Sequence, residues 1–305
     1  MVLKLFLRQQ NNISRICIHN EETVTSAIWM IRFPRQKILW FHNGMKHAVF
    51  FDIDGTLAIL RTVPESAVKA IRMLRNNGTI VFICTGRNAS YVRRHFQAYA
   101  DGFICANGRY AFLEDRILYD HPIEETLLET ARKDVLTCGG GIIFFGNRNA
   151  YYTGDNEGFS RFKSAHTDEP IEYLNVLNET EPIYTFDVFF HSEEELALIQ
   201  NRLQNYCLLN PHLPWPTADV TVFPYDKGTA LSAVCRTLEI DKDHSYAFGD
   251  GHNDLCMFRE AGHNIAMGNA VPELKESAEF VTSSILEDGV KNGLIHFGLI
   301  PPFGL

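Results

Sequence analysis

An apolar run that ends in acidic residues is the feature that most constrains the fold of this chain. Ala48-Val49-Phe50-Phe51 is followed at once by Asp52-Ile53-Asp54-Gly55-Thr56. A short apolar run bounded by a turn signal predicts a buried strand. Because ligands of open α/β sheets bind outside the carboxyl ends of the parallel strands, the pattern predicts a reactive carboxylate at a strand tip. An acidic turn with no chemical role is the alternative, and the motifs described below argue against it.

The composition is that of an ordinary soluble globular protein. The chain has 305 residues, of which 46% are hydrophobic and 21% charged, enough for two domains. Its formal net charge of -9 argues against a nucleic acid partner, because neutralising phosphates requires a basic surface. The apolar stretch between residues 27 and 40 is interrupted by Arg32, Pro34, Arg35 and Lys37, so we expect no membrane span.

Cysteine usage indicates the compartment. The seven cysteines are scattered, without a C-x-x-C pair or the spacing of a zinc site. They are therefore expected to be small core residues in a reducing cytosol, which predicts a cytoplasmic protein. The sequence carries no signal for an oligomeric state.

The first 44 residues differ in charge from the rest of the chain. They contain six lysines or arginines and two acids, whereas residues 45 to 305 contain 22 basic and 35 acidic residues. Met45 stands at this change, directly before the first predicted core strand. We interpret residues 1–44 as an N-terminal extension outside the fold. A transit peptide is the less favoured alternative, because Glu21 and Glu22 are untypical of one.

Strand and helix patterns alternate in two parts of the chain. Strands are predicted at 47–52, 79–84 and 103–105, and again beyond Pro224 at 245–249 and 264–267, with helical patterns between them. From Gly108 the order of predicted elements changes. It becomes a hairpin at 110–119, a helix at 124–137, strands at 142–145 and 184–190, and a helix capped by Ser192. We therefore predict an α/β fold with a parallel-sheet core of residues 45–108 and 225–305 and an α+β insert at residues 109–224.

The first motif offers a nucleophile and a proton donor. Asp52 would attack a phosphorus atom and form an aspartyl-phosphate, which divides one difficult displacement into two easier ones. Asp54 leaves the strand two residues later and can turn back to protonate the leaving oxygen and then deprotonate the attacking water. Gly55 permits close approach of the backbone at this turn.

Two further segments offer groups for a phosphate. The Thr85 hydroxyl can donate to a phosphoryl oxygen, and Gly86-Arg87 continues a loop of the kind that binds anions at helix starts. Thr85 could instead cap the following helix. Lys227, at the start of a helix after the insert, could neutralise developing charge and restrain the nucleophile, or be a solvated surface charge.

The segment Gly249-Asp250-Gly251-His252-Asn253-Asp254 follows a predicted strand and offers ligands for a metal. Its carboxylates and amide form a hard-oxygen set suited to Mg²⁺. Asp250 is the expected direct ligand and Asp254 a second one, although Asp254 could instead cap the next helix. Asn253 would contact the substrate or cap the next helix, and His252 is expected to face solvent.

Taken together, these motifs resemble those of the haloacid dehalogenase superfamily, specifically its Cof-type branch with an α/β cap. The resemblance covers about residues 46 to 298. It is carried by Asp52-x-Asp54-Gly55-Thr56, Thr85-Gly86-Arg87, Asn107-Gly108, Lys227-Gly228, Gly249-Asp250-Gly251-x-Asn253-Asp254, Ala266-Met267-Gly268-Asn269-Ala270 and Glu287-Asp288-Gly289-Val290. It implies a Rossmann-like core, Mg²⁺ held by Asp52, Asp250 and the main-chain carbonyl of Asp54, and a small phosphate ester as substrate.

The function expected from these features is a Mg²⁺-dependent phosphatase of small phosphorylated metabolites, such as sugar phosphates or cofactor phosphates. A sugar phosphomutase of the same superfamily is the alternative within the enzymes. A non-catalytic sensor of phosphorylated metabolites is the third possibility, and the complete set of carboxylates argues against it.

Overall fold

The computed structural model describes residues 46–154, 159–160, 163, 181–212 and 215–303, together with the backbone of five strands elsewhere. Four of these strands form an antiparallel sheet of their own in the order β1-β2-β3-β4, namely β1 Leu5–Gln10, β2 Ile13–Ile18, β3 Ala27–Arg32 and β4 Ile38–Phe41. The side chains of residues 1–45 lie outside the described part. The expectation that residues 1–44 are an extension outside the fold therefore stays a prediction.

The core contains an eight-stranded sheet. Its strands are β5 Ala48–Phe51, β6 Ile80–Cys84, β7 Gly102–Cys105, β8 Tyr110–Leu113, β9 Arg116–Asp120, β16 Ser245–Gly249, β17 His263–Ala266 and β18 Phe280–Val281. Their order is β18-β17-β16-β5-β6-β7-β8-β9, and the pairs from β18 to β7 are parallel. The central position of β5, with parallel neighbours on both sides, confirms the predicted α/β core.

Helices cover both faces of this sheet, which is why its central strands read as continuous apolar runs. The helices of the core are α1 Glu65–Asn76, α2 Ala89–His95, α5 Lys227–Leu238, α6 Leu255–Glu260, α7 Pro272–Ser277 and α8 Gly289–His296. Val49 and Phe51 of β5 pack toward α1, α2 and α8, whereas Ala48 and Phe50 pack toward α5, α6 and α7. Among the described residues, no helix has the length and apolarity needed to cross a membrane.

The insert forms a second sheet, which in its described residues is packed by two helices, and we call this part the cap (residues 121–224). Its strands are β10 Gly141–Gly146, β11 Asn149–Thr153, β12 Glu172–Leu174, β13 Ile183–Phe189, β14 Cys207–Pro211 and β15 Thr217–Val222, in the order β12-β11-β10-β13-β15-β14. Helices α3 Glu125–Thr137 and α4 Glu193–Leu203 pack on one face through Leu128, Val135 and Ile199, which meet Phe144 and Phe186 of the sheet.

The hairpin β8–β9 does not belong with the cap. The sequence pattern predicts it at the beginning of the insert, but β8 pairs with β7 and extends the core sheet. The reason is the turn at Ala106 and Asn107, which both have positive φ and reverse the chain so that Tyr110 pairs back to Cys105. The boundary at residue 109 therefore has to move to about residue 121.

Two segments connect core and cap, and Arg109 holds both of them. Its guanidinium is buried and donates through Nη1 to the carbonyls of His121 and Pro122 at 3.0 and 3.4 Å. Through Nη2 it donates to the carbonyls of Val222 and Phe223 at 3.2 and 3.4 Å. One side chain thus ties the outgoing segment to the returning one.

Candidate active site

Asp52 stands at the carboxyl end of the central strand β5, as predicted. Its backbone N–H donates to the carbonyl of Phe248 at 3.1 Å, which continues the pairing of β5 with β16 by one residue. Its side chain, 11% exposed, accepts a hydrogen bond at Oδ1 from Nζ of Lys227 at 2.6 Å. Burial raises the pKa of the Asp52 carboxyl well above its ordinary value, and the Lys227 ammonium opposes that rise.

Lys227 is a buried charge and not a solvated one. It is the first residue of α5, whose N-cap is the side chain of Asp226, and its own side chain is only 1% exposed. Nζ donates to Asp52 and, at 2.7 Å, to Oδ1 of Asp254. Burial alone would lower the pKa of Lys227, but the two carboxylates outweigh it and raise that pKa well above the ordinary value. The ammonium therefore stays protonated between the two acids.

Asp250 completes the acidic cluster. Carboxylate oxygens of Asp52, Asp250 and Asp254 all lie within 4.8 Å of one another. Burial raises the pKa of Asp250 to about 6, and the Thr56 hydroxyl, which donates to Oδ1 at 2.7 Å, opposes the rise. With the three acids ionised and Lys227 protonated, the cluster carries a net charge of about -2 in a poorly solvated place, which a divalent cation would neutralise.

Asp254 differs from the other two acids in its contacts. It is fully buried, and Oδ1 accepts from Lys227 while Oδ2 accepts from the backbone N–H groups of Asp250 and Gly251 at 3.0 and 3.1 Å. Both of its oxygens are therefore engaged by donors within the protein. These contacts fit a residue that positions Lys227 and the turn carrying Asp250 better than a direct metal ligand.

The turn after Asp52 requires glycine at position 55. Gly55 has φ of +90°, and a β-carbon placed on it would lie 2.2 Å from Oδ2 of Asp250. The side-chain amide of Asn269 holds this turn by donating to the Gly55 carbonyl at 2.8 Å, while its oxygen accepts from the N–H of Ile285 at 3.0 Å. The first acidic motif and the Asp250 turn are thus brought into direct contact.

Asp54 and Arg87 meet at the open side of the site. The Asp54 side chain is 54% exposed, and its Oδ2 lies 3.4 Å from Nη2 of Arg87. The guanidinium also lies 5.1 Å from the centre of the Tyr91 ring. Asp54 is therefore accessible to a leaving group, and Arg87 places a positive charge beside it.

Thr85 is not a helix cap. The N-cap of α2 is Asn88, whose side chain accepts from the N–H of Tyr91 at 2.9 Å. Thr85 follows β6 as Asp52 follows β5, and its Oγ1 accepts from the N–H of Arg87 at 3.1 Å. Because a hydroxyl that accepts one hydrogen bond still has its own proton to donate, Thr85 keeps a donor for a phosphoryl oxygen.

The two remaining predicted residues lie beside Asp254. His252 faces solvent, as expected, with its ring 3.4 Å from Glu273. Asn253 does not cap the next helix through its side chain: Cys256 donates to its main-chain carbonyl, and its side-chain oxygen lies beside Gly251. Its predicted contact with substrate stays a prediction.

Sequence reasoning gave no role to three residues that the structure places here. Thr56 lies within the first motif, and its hydroxyl beside Gly55 could have indicated a hydrogen-bond donor at the site. Asn107 is part of a motif of the resemblance but had no assigned role, and its Nδ2 donates to Oδ2 of Asp219 in the cap at 2.7 Å. No signal pointed to Asp219, because nothing in the sequence tells which face of a cap strand turns toward the core.

A central parallel sheet with carboxylates at its strand ends and an inserted cap defines a class of capped α/β hydrolases. A model of the haloacid dehalogenase-like hydrolases matches residues 49–294, so the chain belongs to this family. It is a phosphomonoester hydrolase, as the expected resemblance implied.

Three relatives match this chain over nearly all of their own length. The Bacillus subtilis (strain 168) protein YkrA is 32% identical over 261 residues, 83% of this chain and 98% of that protein. The 5-amino-6-(5-phospho-D-ribitylamino)uracil phosphatase YwtE of the same strain is 28% identical, covering 79% of this chain and 94% of that one. Among solved structures, the subclass IIB sugar phosphatase BT4131 has a TM-score of 0.70 and 28% identity, with 83% of this chain and 100% of that chain covered.

Proposed function

We propose that this protein is a Mg²⁺-dependent, cytoplasmic phosphatase of small phosphorylated metabolites that works through an aspartyl-phosphate on Asp52. The observation that carries the proposal is the buried contact of Lys227 with Asp52 beside Asp250. It restrains a carboxylate at the tip of a central strand and leaves that carboxylate near a second acid with which it could share a cation. The described cysteines are free, in keeping with a reducing compartment.

The donor set fits Mg²⁺. Asp52 and Asp250 supply hard oxygen ligands, the main-chain carbonyl of Asp54 is the third candidate, and the net negative charge of the cluster favours a divalent cation. Bound there, Mg²⁺ would offset the charge of the phosphoryl group as the nucleophile approaches. In this proposal Asp254 acts through Lys227 and not as a ligand, in contrast to the expectation from the sequence.

The reaction has two displacements at phosphorus. In the first, a carboxylate oxygen of Asp52 forms a bond to phosphorus, the bond to the leaving oxygen breaks, and Asp54 transfers its proton to that oxygen. In the second, Asp54 takes a proton from water, the resulting hydroxide bonds to phosphorus, and the bond to Asp52 breaks to release phosphate. The position of Asp54 on the open side suits both proton transfers.

The phosphate itself is held by the neighbouring strand end. Thr85 donates its hydroxyl proton to a phosphoryl oxygen, the loop at Gly86 allows the backbone to approach, and Arg87 adds positive charge. Lys227 offsets the charge that develops on Asp52. Asn253 is the remaining candidate for a contact with substrate.

The test is hydrolysis of a generic aryl phosphate with and without Mg²⁺. We expect activity only with the metal, and none in Asp52→Asn, which keeps the shape of the side chain but is a poor nucleophile. Asp115→Asn, an exposed change in the hairpin β8–β9, is the matched control. Mass spectrometry of rapidly quenched enzyme should show one added phosphoryl group in the wild type and none in Asp52→Asn. More than a few per cent of wild-type turnover in Asp52→Asn would refute the covalent mechanism.

A phosphomutase is the alternative, and the charge of the insert disfavours it. Residues 109–224 carry eight lysines or arginines and nineteen aspartates or glutamates. A mutase holds a bisphosphate, whose second phosphate needs clustered cations that this balance does not favour. Phosphorus NMR with hexose and pentose phosphates should show free phosphate and no positional isomer. Isomer that forms faster than phosphate and is stimulated by added bisphosphate would instead establish a mutase.

A further inference from the structure

One face of the cap sheet carries a row of polar side chains turned toward the core. In the antiparallel pairing of β13, β15 and β14, Asp219 is the partner of Asp187 on one side and of Asn210 on the other. Residues directly opposite each other in antiparallel strands place their side chains on the same face. Since Asp219 reaches Asn107 of the core at 2.7 Å, Asp187 lies on that same core-facing side.

This row lies over the phosphate-binding loop. A β-carbon placed on Gly86 would be 3.2 Å from Oδ2 of Asp219 and 3.2 Å from Oδ1 of Asn107. The charge of Arg87 also acts on Asp187. The leaving group of a phosphate bound at Thr85-Gly86-Arg87 would therefore extend toward these side chains.

The carboxylates of Asp219 and Asp187 differ in how many partners they already have within the protein. Asp219 accepts from Asn107 and, at 3.3 Å, from Asn210 through Oδ2, while Oδ1 contacts Nε2 of His212 at 3.1 Å. The side-chain carboxylate of Asp187 makes no hydrogen bond or ion pair to any residue of the described ranges. Burial raises the pKa of Asp187 to about 7, the His212 charge opposes the rise, and Asp219 adds to it.

The side-chain oxygen of Asn107 is a second group without a partner among the described residues. The residue is 3% exposed, and its Nδ2 is used by Asp219, but its Oδ1 is buried and accepts no hydrogen bond from the described residues. An unpaired buried acceptor costs free energy unless a ligand or water supplies a donor. This oxygen lies beside Gly86, as does Oδ2 of Asp219, the strand partner of Asp187.

The other half of this face is apolar. Ile143 is the partner of Asp187 on the side away from Asp219, and it belongs to a buried cluster with Phe145, Tyr152 and Phe189. The face therefore places hydrogen-bond acceptors next to a buried apolar cluster.

We propose that Asp187 and the side-chain oxygen of Asn107 form a leaving-group site that accepts hydrogen bonds from hydroxyl groups, so that the preferred substrates are phosphate monoesters of polyols or sugars. The assignment rests on the phosphatase function proposed above. Asp187 acts here as a specificity-determining residue that touches the leaving group, while Asp219, Asn210 and His212 hold the surrounding row in place. A leaving group that carries a second negative charge meets two carboxylates and is disfavoured.

The test compares two substrates of equal chain length, hexitol 6-phosphate and n-hexyl phosphate, in the full-length protein with Mg²⁺. For the wild type we expect kcat/KM at least 10-fold higher with the hexitol ester. Asp187→Ala should lower kcat/KM for the hexitol ester about 10- to 100-fold, the range set by leaving a buried polar partner unpaired, and change that for n-hexyl phosphate less than about 3-fold. Asp187→Asn, which keeps the shape, should lie between wild type and Asp187→Ala.

The control is Glu193→Gln, which removes a negative charge from an exposed position of the cap and should leave both substrates unaffected. If Asp187→Ala and Asp187→Asn lower turnover of both esters equally, or if the wild type does not prefer the hexitol ester, the proposed leaving-group site is wrong while the phosphatase function stands. If the wild type hydrolyses no phosphate ester, the proposed function itself fails. A preference for 6-phosphogluconate over the hexitol ester would also overturn the site, because its carboxylate would face Asp187.

Discussion

The ammonium of Lys227 lies 2.6 Å from the carboxylate of Asp52, although 175 residues separate the two along the chain. The whole cap is inserted between them. The site is therefore complete only when the returning segment of the core has packed α5 against the end of β5. A buried contact of this kind links the stability of the core directly to the arrangement of the proposed nucleophile.

Replacing Lys227 should affect stability and activity together. Lys227→Met keeps the length of the side chain but leaves Asp52 and Asp254 buried without their counter-ion, a loss that costs roughly 3–5 kcal/mol in comparable buried pairs. We expect a lower midpoint in urea unfolding and loss of aryl phosphate turnover. Lys69→Met, at a partly exposed i,i+4 pair with Glu65, is the control and should change the midpoint little. An unchanged midpoint for Lys227→Met would contradict the buried-pair argument.

Metal binding should be measurable without turnover. Because a cation that binds only the folded state stabilises it, Mg²⁺ should raise the melting temperature of the wild type. Asp250→Ala removes a proposed ligand, so at least a 10-fold higher Mg²⁺ concentration should be needed to reach half of that shift. Asp54→Ala would keep its main-chain carbonyl and should retain most of the metal response. A melting curve of Asp250→Ala that responds to Mg²⁺ like the wild type would exclude Asp250 as a ligand.

The N-terminal 44 residues are predicted to be dispensable. A protein beginning at Met45 should express, turn over aryl phosphate at the wild-type rate and melt at nearly the same temperature. A fall of more than about 5 °C, corresponding to roughly 2 kcal/mol for a protein of this size, would show that the N-terminal segment packs on the core. Circular dichroism melts of the two proteins at equal concentration make the comparison.

Asp187 should make stability depend on pH in a definite direction. Its pKa of about 7 in the folded protein lies above the ordinary value of 3.8, so the folded state holds the proton more tightly than the unfolded state. The resulting stabilisation is complete below about pH 4 and is lost as the pH rises toward 7. Relative to Asp187→Asn, the wild type should lose about 1–2 kcal/mol between pH 5 and 8, an amount reduced by the partial exposure of the side chain.

The measurement is urea unfolding of both proteins at several pH values. Asp243→Asn, an exposed change near the start of β16, should show no such trend relative to wild type. A difference between wild type and Asp187→Asn that stays constant with pH would mean that the carboxyl is ionised as easily in the folded protein as in the unfolded one.

Most of the core could be predicted from the sequence because its signals are local. Each central strand is a short apolar run bounded by a turn, and α1 begins after Pro64 and ends just before Gly78, where helix start and stop signals stand. The hairpin β8–β9 was placed in the insert because a hairpin pattern is the same in either sheet. Its assignment depends on β8 pairing with β7, which the reversal at Ala106 and Asn107 determines and the pattern does not show.

In the site, too, residues with a local sequence signal could be predicted, whereas residues placed by tertiary contacts could not. Asp52, Thr85 and Asp250 each follow a strand directly, so the meeting of parallel strand ends brings them together and the motifs reveal them. The role proposed for Asp254 differs from the predicted one because its partners are the Lys227 ammonium and two backbone N–H groups, and spacing alone does not show that both its oxygens are engaged. Asp187 and Asp219 could not be predicted as site residues. A carboxylate on a half-buried strand usually lies on the face toward solvent, so its presence does not indicate a site.

The guanidinium of Arg109 has a consequence for how the cap can move. A lid attached by two independent tethers could slide, twist or tilt, but here the carbonyls of residues 121–122 and 222–223 are joined through one buried side chain. The rings of His121 and Tyr225 also stack across the two tethers at 4.5 Å. We therefore expect the two connecting segments to move together, which favours rotation of the cap as one body over independent movement of each segment.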